Sequence, residues 1–143
     1  MKSKFKQLRL SQLDRSLAAA KRLPPRPSDG WLASVREALG VSQVELGQRV
    51  HSSKQSIQQF ERAEAADTIT LSNLRRLAGA MECDVVYVLV PKSGSLSEIA
   101  EGRIRDSAAR DVKRVMQTMA LEDQKPENAE QFIEDETQRR LKP

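Results

Sequence analysis

The stretch Val41-Ser42-Gln43-Val44-Glu45-Leu46-Gly47-Gln48-Arg49-Val50-His51-Ser52-Ser53-Lys54-Gln55-Ser56-Ile57-Gln58-Gln59-Phe60-Glu61 decides the fold. Two short amphipathic segments meet there at a polar break, His51-Ser52. The first opens at Ser42, a residue type suited to capping a helix, and its spacing turns Val44, Leu46 or Gly47, and Val50 inward. The second opens at Ser52 or Ser53 and turns Ile57 and Phe60 inward. Its outer face then holds Lys54, Gln55, Ser56, Gln58 and Gln59. An ordinary solvated helix carries mostly Glu and Lys at such positions. Gln amides pair bidentately with adenine, and Ser or Lys can meet base edges or phosphates in the major groove. The pattern predicts a helix-turn-helix whose second helix faces DNA.

Working outward from this stretch, a preceding helix is expected over residues 31–39, with Trp31, Leu32, Val35 and Leu39 inward and Gly40 as its stop. After the helix-turn-helix, Thr70 caps a helix carrying Leu71, Leu74, Leu77 and Ala78. Met81 and Cys83 read as core or near-core filler. The run Val85-Val86-Tyr87-Val88-Leu89-Val90 predicts a strand stopped by Pro91, with Tyr87 in strand packing. A lone strand in a helical domain needs a partner, and the same strand of a second subunit would supply it, which predicts a homodimer.

Before this domain, residues 1–29 form a basic arm. Leu10, Leu13 and Leu17 are the tightest part of a helical stripe that also includes Phe5, Leu8 and Ala20, and the helix must end before Pro24-Pro25. Such a helix could pack on a partner subunit, lie along DNA, or remain a frayed arm. Beyond residues 30–91, a polar linker, Lys92-Ser93-Gly94-Ser95, opens the last segment, residues 92–143. Leu96, Ala100, Ile104, Ala108, Val112, Val115 and Met119 recur every three or four residues and predict one long helix. Pro126 reads as a break before a charged tail with a weak helix around Ala129, Phe132 and Ile133. DNA binding does not require the long helix, so it must pack on its own domain, a second subunit or another protein.

Composition narrows the function. No apolar run approaches the roughly 18–20 residues of a membrane span, and the basic start lacks a signal-peptide core. A cytoplasmic, nucleoid-associated protein is expected. One Cys and one His leave no disulfide, no metal constellation and no nucleophile–base pair, so neither an enzyme nor a cofactor is expected. The net charge of +4 divides into +6 over residues 1–30 and −1 over each of residues 31–91 and 92–143. Electrostatic drive toward phosphate therefore sits in the leader, and binding by two copies is expected.

Leu32, Arg36, Leu39-Gly40-Val41-Ser42-Gln43, Glu45-Leu46, Ser53, Gln55-Ser56-Ile57, Glu61 and residues 74–78 together resemble the Cro/C1-type (Xre, lambda-repressor-like) helix-turn-helix family. The fold class is therefore expected to be mainly α: such a domain with one C-terminal strand, flanked by an N-terminal helix and a long C-terminal helix. The resemblance implies that Gln43 contacts phosphate or positions its helix. It makes Lys54, Gln55 and Gln59 the base-reading residues, places Ser53 and Ser56 near the DNA backbone, and ties Glu61 to Arg36. Two residues depart from the family pattern: Gly47 stands where Ala is usual, and His51 where Gly is usual. Gly47 should cost about 1 kcal/mol of helix propensity, and His51 must adopt a positive φ.

Trp31, Val35-Arg36-Glu37-Ala38-Leu39-Gly40, Thr68-Ile69-Thr70-Leu71, residues 83–91 and Thr118-Met119-Ala120-Leu121-Glu122-Asp123-Gln124 resemble the family called mobile mystery protein A. That resemblance implies a neighbouring gene for a Fic-domain protein, an AMP-transferring toxin. Ser97-Glu98-Ile99-Ala100-Glu101-Gly102 resembles the inhibitory helix motif of such systems. Glu101 would be the obstructing carboxylate, Ser97 its hydrogen-bonding companion, and Gly102 the motif's last residue. Three functions follow as alternatives. They are a dimeric autorepressor and antitoxin bound to an operator palindrome and a Fic toxin, a plain repressor of a mobile element, and an adaptor whose helix-turn-helix no longer binds DNA.

Overall fold

The computed structural model describes residues 2–121 and 128–142, so the break expected at Pro126 lies outside the described residues. The described residues form seven α-helices: α1 (Lys2–Leu17), α2 (Trp31–Ala38), α3 (Gln43–Arg49), α4 (Lys54–Ala65), α5 (Leu71–Ala80), α6 (Leu96–Leu121) and α7 (Ala129–Leu141). A 3-10 turn, Ala18–Arg22, follows α1 and ends ahead of Pro24-Pro25. The chain divides into two compact units. One is Leu23–Val88, with α2 to α5, and the other joins α1 to α6 and α7.

In the first unit, Leu32, Val41, Leu46, Val50, Ile57, Leu77 and Met81 form the buried core, with Val35, Phe60, Ile69 and Leu74 packed against it. Leu46, Ile57 and Leu77 are fully enclosed, each contributing about 1.5–3 kcal/mol. Helix starts follow the expected chemistry. Ser42 Oγ accepts from Glu45 N (3.0 Å), Ser53 Oγ from Ser56 N (3.1 Å) and Thr70 Oγ1 from Asn73 N (3.2 Å).

The helix ends share one device. After α2, α3, α4 and α5 the chain turns through a single left-handed residue: Gly40, His51, Asp67 and Glu82 respectively. Each time the following amide reaches back to close the last turn: Val41 N to Arg36 O, Ser52 N to Gly47 O, Thr68 N to Ala63 O and Cys83 N to Ala78 O, all at 2.8–3.0 Å. Only the first of these turns uses glycine, so the other three hold side chains in a conformation that L-residues disfavour.

Several side chains differ from expectation. Trp31, Leu39 and Val44 are exposed rather than inward, and so is Cys83. The larger correction concerns residues 85–90. Among the described residues there is no strand, and no backbone–backbone hydrogen bond involves residues 84–91. A strand is defined by its ladder, and no other segment of this chain runs alongside to form one. Tyr87 is exposed, with the Arg75 guanidinium 5.7 Å from its ring centre.

In the second unit, α6 is covered by α7 and by α1 of the same chain. Ala108 and Thr137 are its buried residues, while Ile104, Val112 and Ile133 are half-buried. Val115, Met119 and Phe132, at the far end, are exposed. Ion pairs compensate along this contact: Arg140 meets Asp111 and Glu136, each at 2.7 Å, and Arg105 meets Glu134 at 2.6 Å. The tail therefore makes a full helix rather than a weak one. In α1, Leu10 and Leu17 are half-buried, whereas Phe5, Leu8 and Leu13 remain exposed.

Candidate nucleic-acid interface

Helix α3, the turn at His51 and helix α4 are set by close contacts rather than by propensity. His51 takes φ 55°, as its position demands. Gly47 lies against the turn so tightly that a Cβ there would stand 2.5 Å from the Ser52 carbonyl oxygen. The glycine that departs from the family pattern thus answers to the path of this turn. Ile57 is fully buried and Phe60 half-buried, which fixes the rotation of α4.

That rotation turns Lys54, Gln55, Gln58 and Gln59 to solvent, and their side chains make no hydrogen bond to any described residue. Ser56 is half-buried, with its hydroxyl 3.0 Å from that of Ser53. Ser53 is occupied in capping α4. Gln43 is half-buried, and its amide donates to Glu61 Oε2 at 2.9 Å. Four of the six residues expected at the interface therefore share the outer side of α4, and two are committed within the domain.

Glu61 is the centre of that commitment. It accepts from Arg36 Nε at 2.5 Å and Nη2 at 3.4 Å, while Arg36 Nη1 donates to the Val41 carbonyl at 3.0 Å. Arg36 and Glu61 are both buried. Hydrogen bonding to Glu61 holds the Arg36 guanidinium more firmly protonated than usual. With Gln43 added, the network joins α2, α3 and α4, as expected for Glu61 and Arg36.

Glu64 is the residue that sequence reasoning missed. Its carboxylate accepts from Trp31 N and Leu32 N, both at 2.8 Å, so a side chain of α4 caps the N-terminus of α2. Gly30, which precedes that helix, supplies no cap of its own. It has φ 86°, and a Cβ there would come within 2.6 Å of Glu64 Oε2, so glycine is needed twice over. A signal did exist: Glu64 follows Ile57 by seven residues and shares its inward face. The other end of α4 is closed by Arg26, which donates to the Glu64 and Ala65 carbonyls at 2.9 and 3.2 Å and pairs with Asp67.

Electrostatically, this changes the reading of a near-neutral domain. Both carboxylates of α4, Glu61 and Glu64, are buried and satisfied, while its cations Lys54 and Arg62 are exposed. The solvent side of α4 is amide, hydroxyl and positive charge, without a carboxylate. Such a surface can approach a phosphate-lined groove without like-charge repulsion.

In the other unit, Ser97 sits in the first turn of α6. Asp14 of α1 accepts from Leu96 N (2.7 Å), Ser97 N (3.1 Å) and Ser97 Oγ (2.6 Å). The Ser97 hydrogen bond, with the two amides beside it, holds the Asp14 carboxyl below the usual carboxylate range. Glu101 is exposed one turn further on and makes no hydrogen bond to a described residue. Around Gly102 a Cβ would meet open space.

Comparison with curated proteins and comparison with solved structures each returned no match. No match was found to the mobile mystery protein A family, and none implies a Fic-domain partner. A helix-turn-helix family model does match residues 32–88, spanning α2 to α5 and the start of the unpaired apolar run. This part of the chain is a Cro/C1-type helix-turn-helix domain.

Proposed function

We propose that the protein is a sequence-specific DNA-binding transcriptional regulator that acts by binding and not by catalysis. The carrying observation is the solvent side of α4, where uncommitted Lys54, Gln55, Gln58 and Gln59 stand beside Arg62 with both acids of the helix turned inward. Helix α4 lies in the major groove. Gln55 and Gln59, one turn apart, read base edges, and Lys54 and Ser56 meet bases or the adjoining phosphates. Gln43 and Ser53 serve the site by fixing α3 and α4 through Glu61 and the helix cap. Two copies bind the halves of a palindromic operator and repress from it.

The test is selection of a preferred duplex from random DNA, followed by fluorescence anisotropy. Gln55→Ala with Gln59→Ala should remove preference for the selected duplex while leaving weak, salt-sensitive binding. Each lost bidentate contact should cost about 1–3 kcal/mol. Unchanged discrimination would remove base reading from α4. The antitoxin extension rests on Glu101, whose exposed carboxylate is uncommitted, whereas the Ser97 hydroxyl is occupied by Asp14. In cells carrying a neighbouring Fic protein, Glu101→Gly would release AMP transfer if this extension holds.

A further inference from the structure

Residues 84–92 carry a surface that the domain does not explain. Five consecutive apolar side chains, residues 86–90, are exposed, Val86 to 83 % and Leu89 to 77 %. No backbone–backbone hydrogen bond joins this segment to any described residue. An unpaired, β-branched, apolar run in water is a template for another strand. Its chemistry also indicates which strand. Asp84 stands at one end and Lys92 at the other, with only apolar residues between them.

We infer that two copies of this chain pair residues 84–92 as antiparallel strands about a two-fold axis at Val88. In this register Asp84 faces Lys92 of the second copy, Val86 faces Val90, Tyr87 faces Leu89, and Val88 faces itself. Parallel pairing in register would set Asp84 against Asp84 and Lys92 against Lys92, which like-charge repulsion disfavours. Proline fits the same register. With Val88 at a hydrogen-bonded position, Pro91 falls at a non-hydrogen-bonded one, where its missing N–H is not needed. The run that makes no strand in one chain thus becomes a strand in two. This inference supplies the surface for the paired copies proposed above, but it makes no use of DNA and can fail independently.

The experiment is sedimentation equilibrium of the full chain without DNA. The parent protein should be a dimer. Val88→Lys should give a monomer with unchanged helical circular dichroism, because the position is exposed and outside the core. Asp84→Lys should weaken the dimer roughly tenfold, two charge pairs being lost per dimer, and adding Lys92→Asp should restore it. Register is read separately by oxidation in a Cys83→Ser background. Val88→Cys should cross-link, since facing Cα atoms lie about 5.5 Å apart. Val86→Cys should not, because its nearest copy lies four residues along the ladder. A monomeric parent overturns the inference, as does a dimer that tolerates Val88→Lys. Efficient cross-linking at Val86→Cys in place of Val88→Cys overturns the register. Loss of operator preference in the Gln55/Gln59 double variant would leave all these results untouched.

Discussion

Glu64 offers the sharpest test of how the DNA-facing helix is held. Removing its carboxylate by Glu64→Ala strips the cap from two amides at the start of α2. These amides are not equivalent. Trp31 is exposed, so water can replace the carboxylate at its N–H, whereas Leu32 is 2 % exposed and its N–H would be left without a partner. A hydrogen bond to a charged acceptor contributes about 1.5–3 kcal/mol, and a stranded buried donor keeps that full penalty. Allowing about 1 kcal/mol for the rehydrated Trp31 amide, Glu64→Ala should cost about 3–4 kcal/mol. Glu64→Gln keeps one oxygen acceptor but turns an NH2 group toward the other amide, and should cost about half as much. Urea unfolding followed by fluorescence measures this directly, because Trp31 is the single tryptophan and sits at the perturbed helix start. Gln58→Ala, exposed on the same helix, is the control and should stay within about 0.5 kcal/mol of the parent. A loss below about 1 kcal/mol for Glu64→Ala would falsify the capping role.

Two further outcomes are expected. Glu82→Gly, and separately His51→Gly, should each stabilise the first unit by about 0.5–1 kcal/mol, as relief of the left-handed strain exceeds the added chain entropy; thermal melts that fall instead would contradict the turn geometry. In the second unit, Asp14 is held below the usual carboxylate range chiefly by Ser97, Asp111 by Arg140, and Glu136 by Arg139 and Arg140. A folded-state value below the unfolded one gives stabilisation that is complete above about pH 4 and is lost as pH falls through the depressed values. Helicity of α6 and α7 should therefore decline on acidification below about pH 4, and Asp14→Asn should flatten part of that profile in a circular dichroism titration.

The parts legible in the sequence were those governed by local chemistry. Ser42, Ser53 and Thr70 cap where a hydroxyl precedes an apolar run, and Ile57 and Phe60 set the rotation of α4. His51 takes the positive φ that its place after α3 requires. Errors fell on short elements. Helices α2 and α3 have eight and seven residues, too few turns for spacing alone to fix which side Trp31, Leu39 and Val44 would face. Long-range partners were also out of reach. Glu64 and Asp14 cap helices about 32 and 82 residues away in the chain, and a carboxylate's distant amide leaves no trace in local periodicity. Residues 85–90 read as a strand because composition reports affinity for a ladder, while the ladder itself requires a second segment.

The inward placement of Glu61 and Glu64 has a consequence for how binding and folding are linked. Opening of α4 would return two negative charges to the surface intended for phosphate, at the same moment as it releases α2 and Arg36. The frayed domain is then not merely a weaker ligand for DNA but an actively repelled one. Nucleic acid, by engaging only the closed form, becomes a stabiliser of the very packing that presents α4. Partly unfolded chains meanwhile stay off the polymer and compete little for its sites.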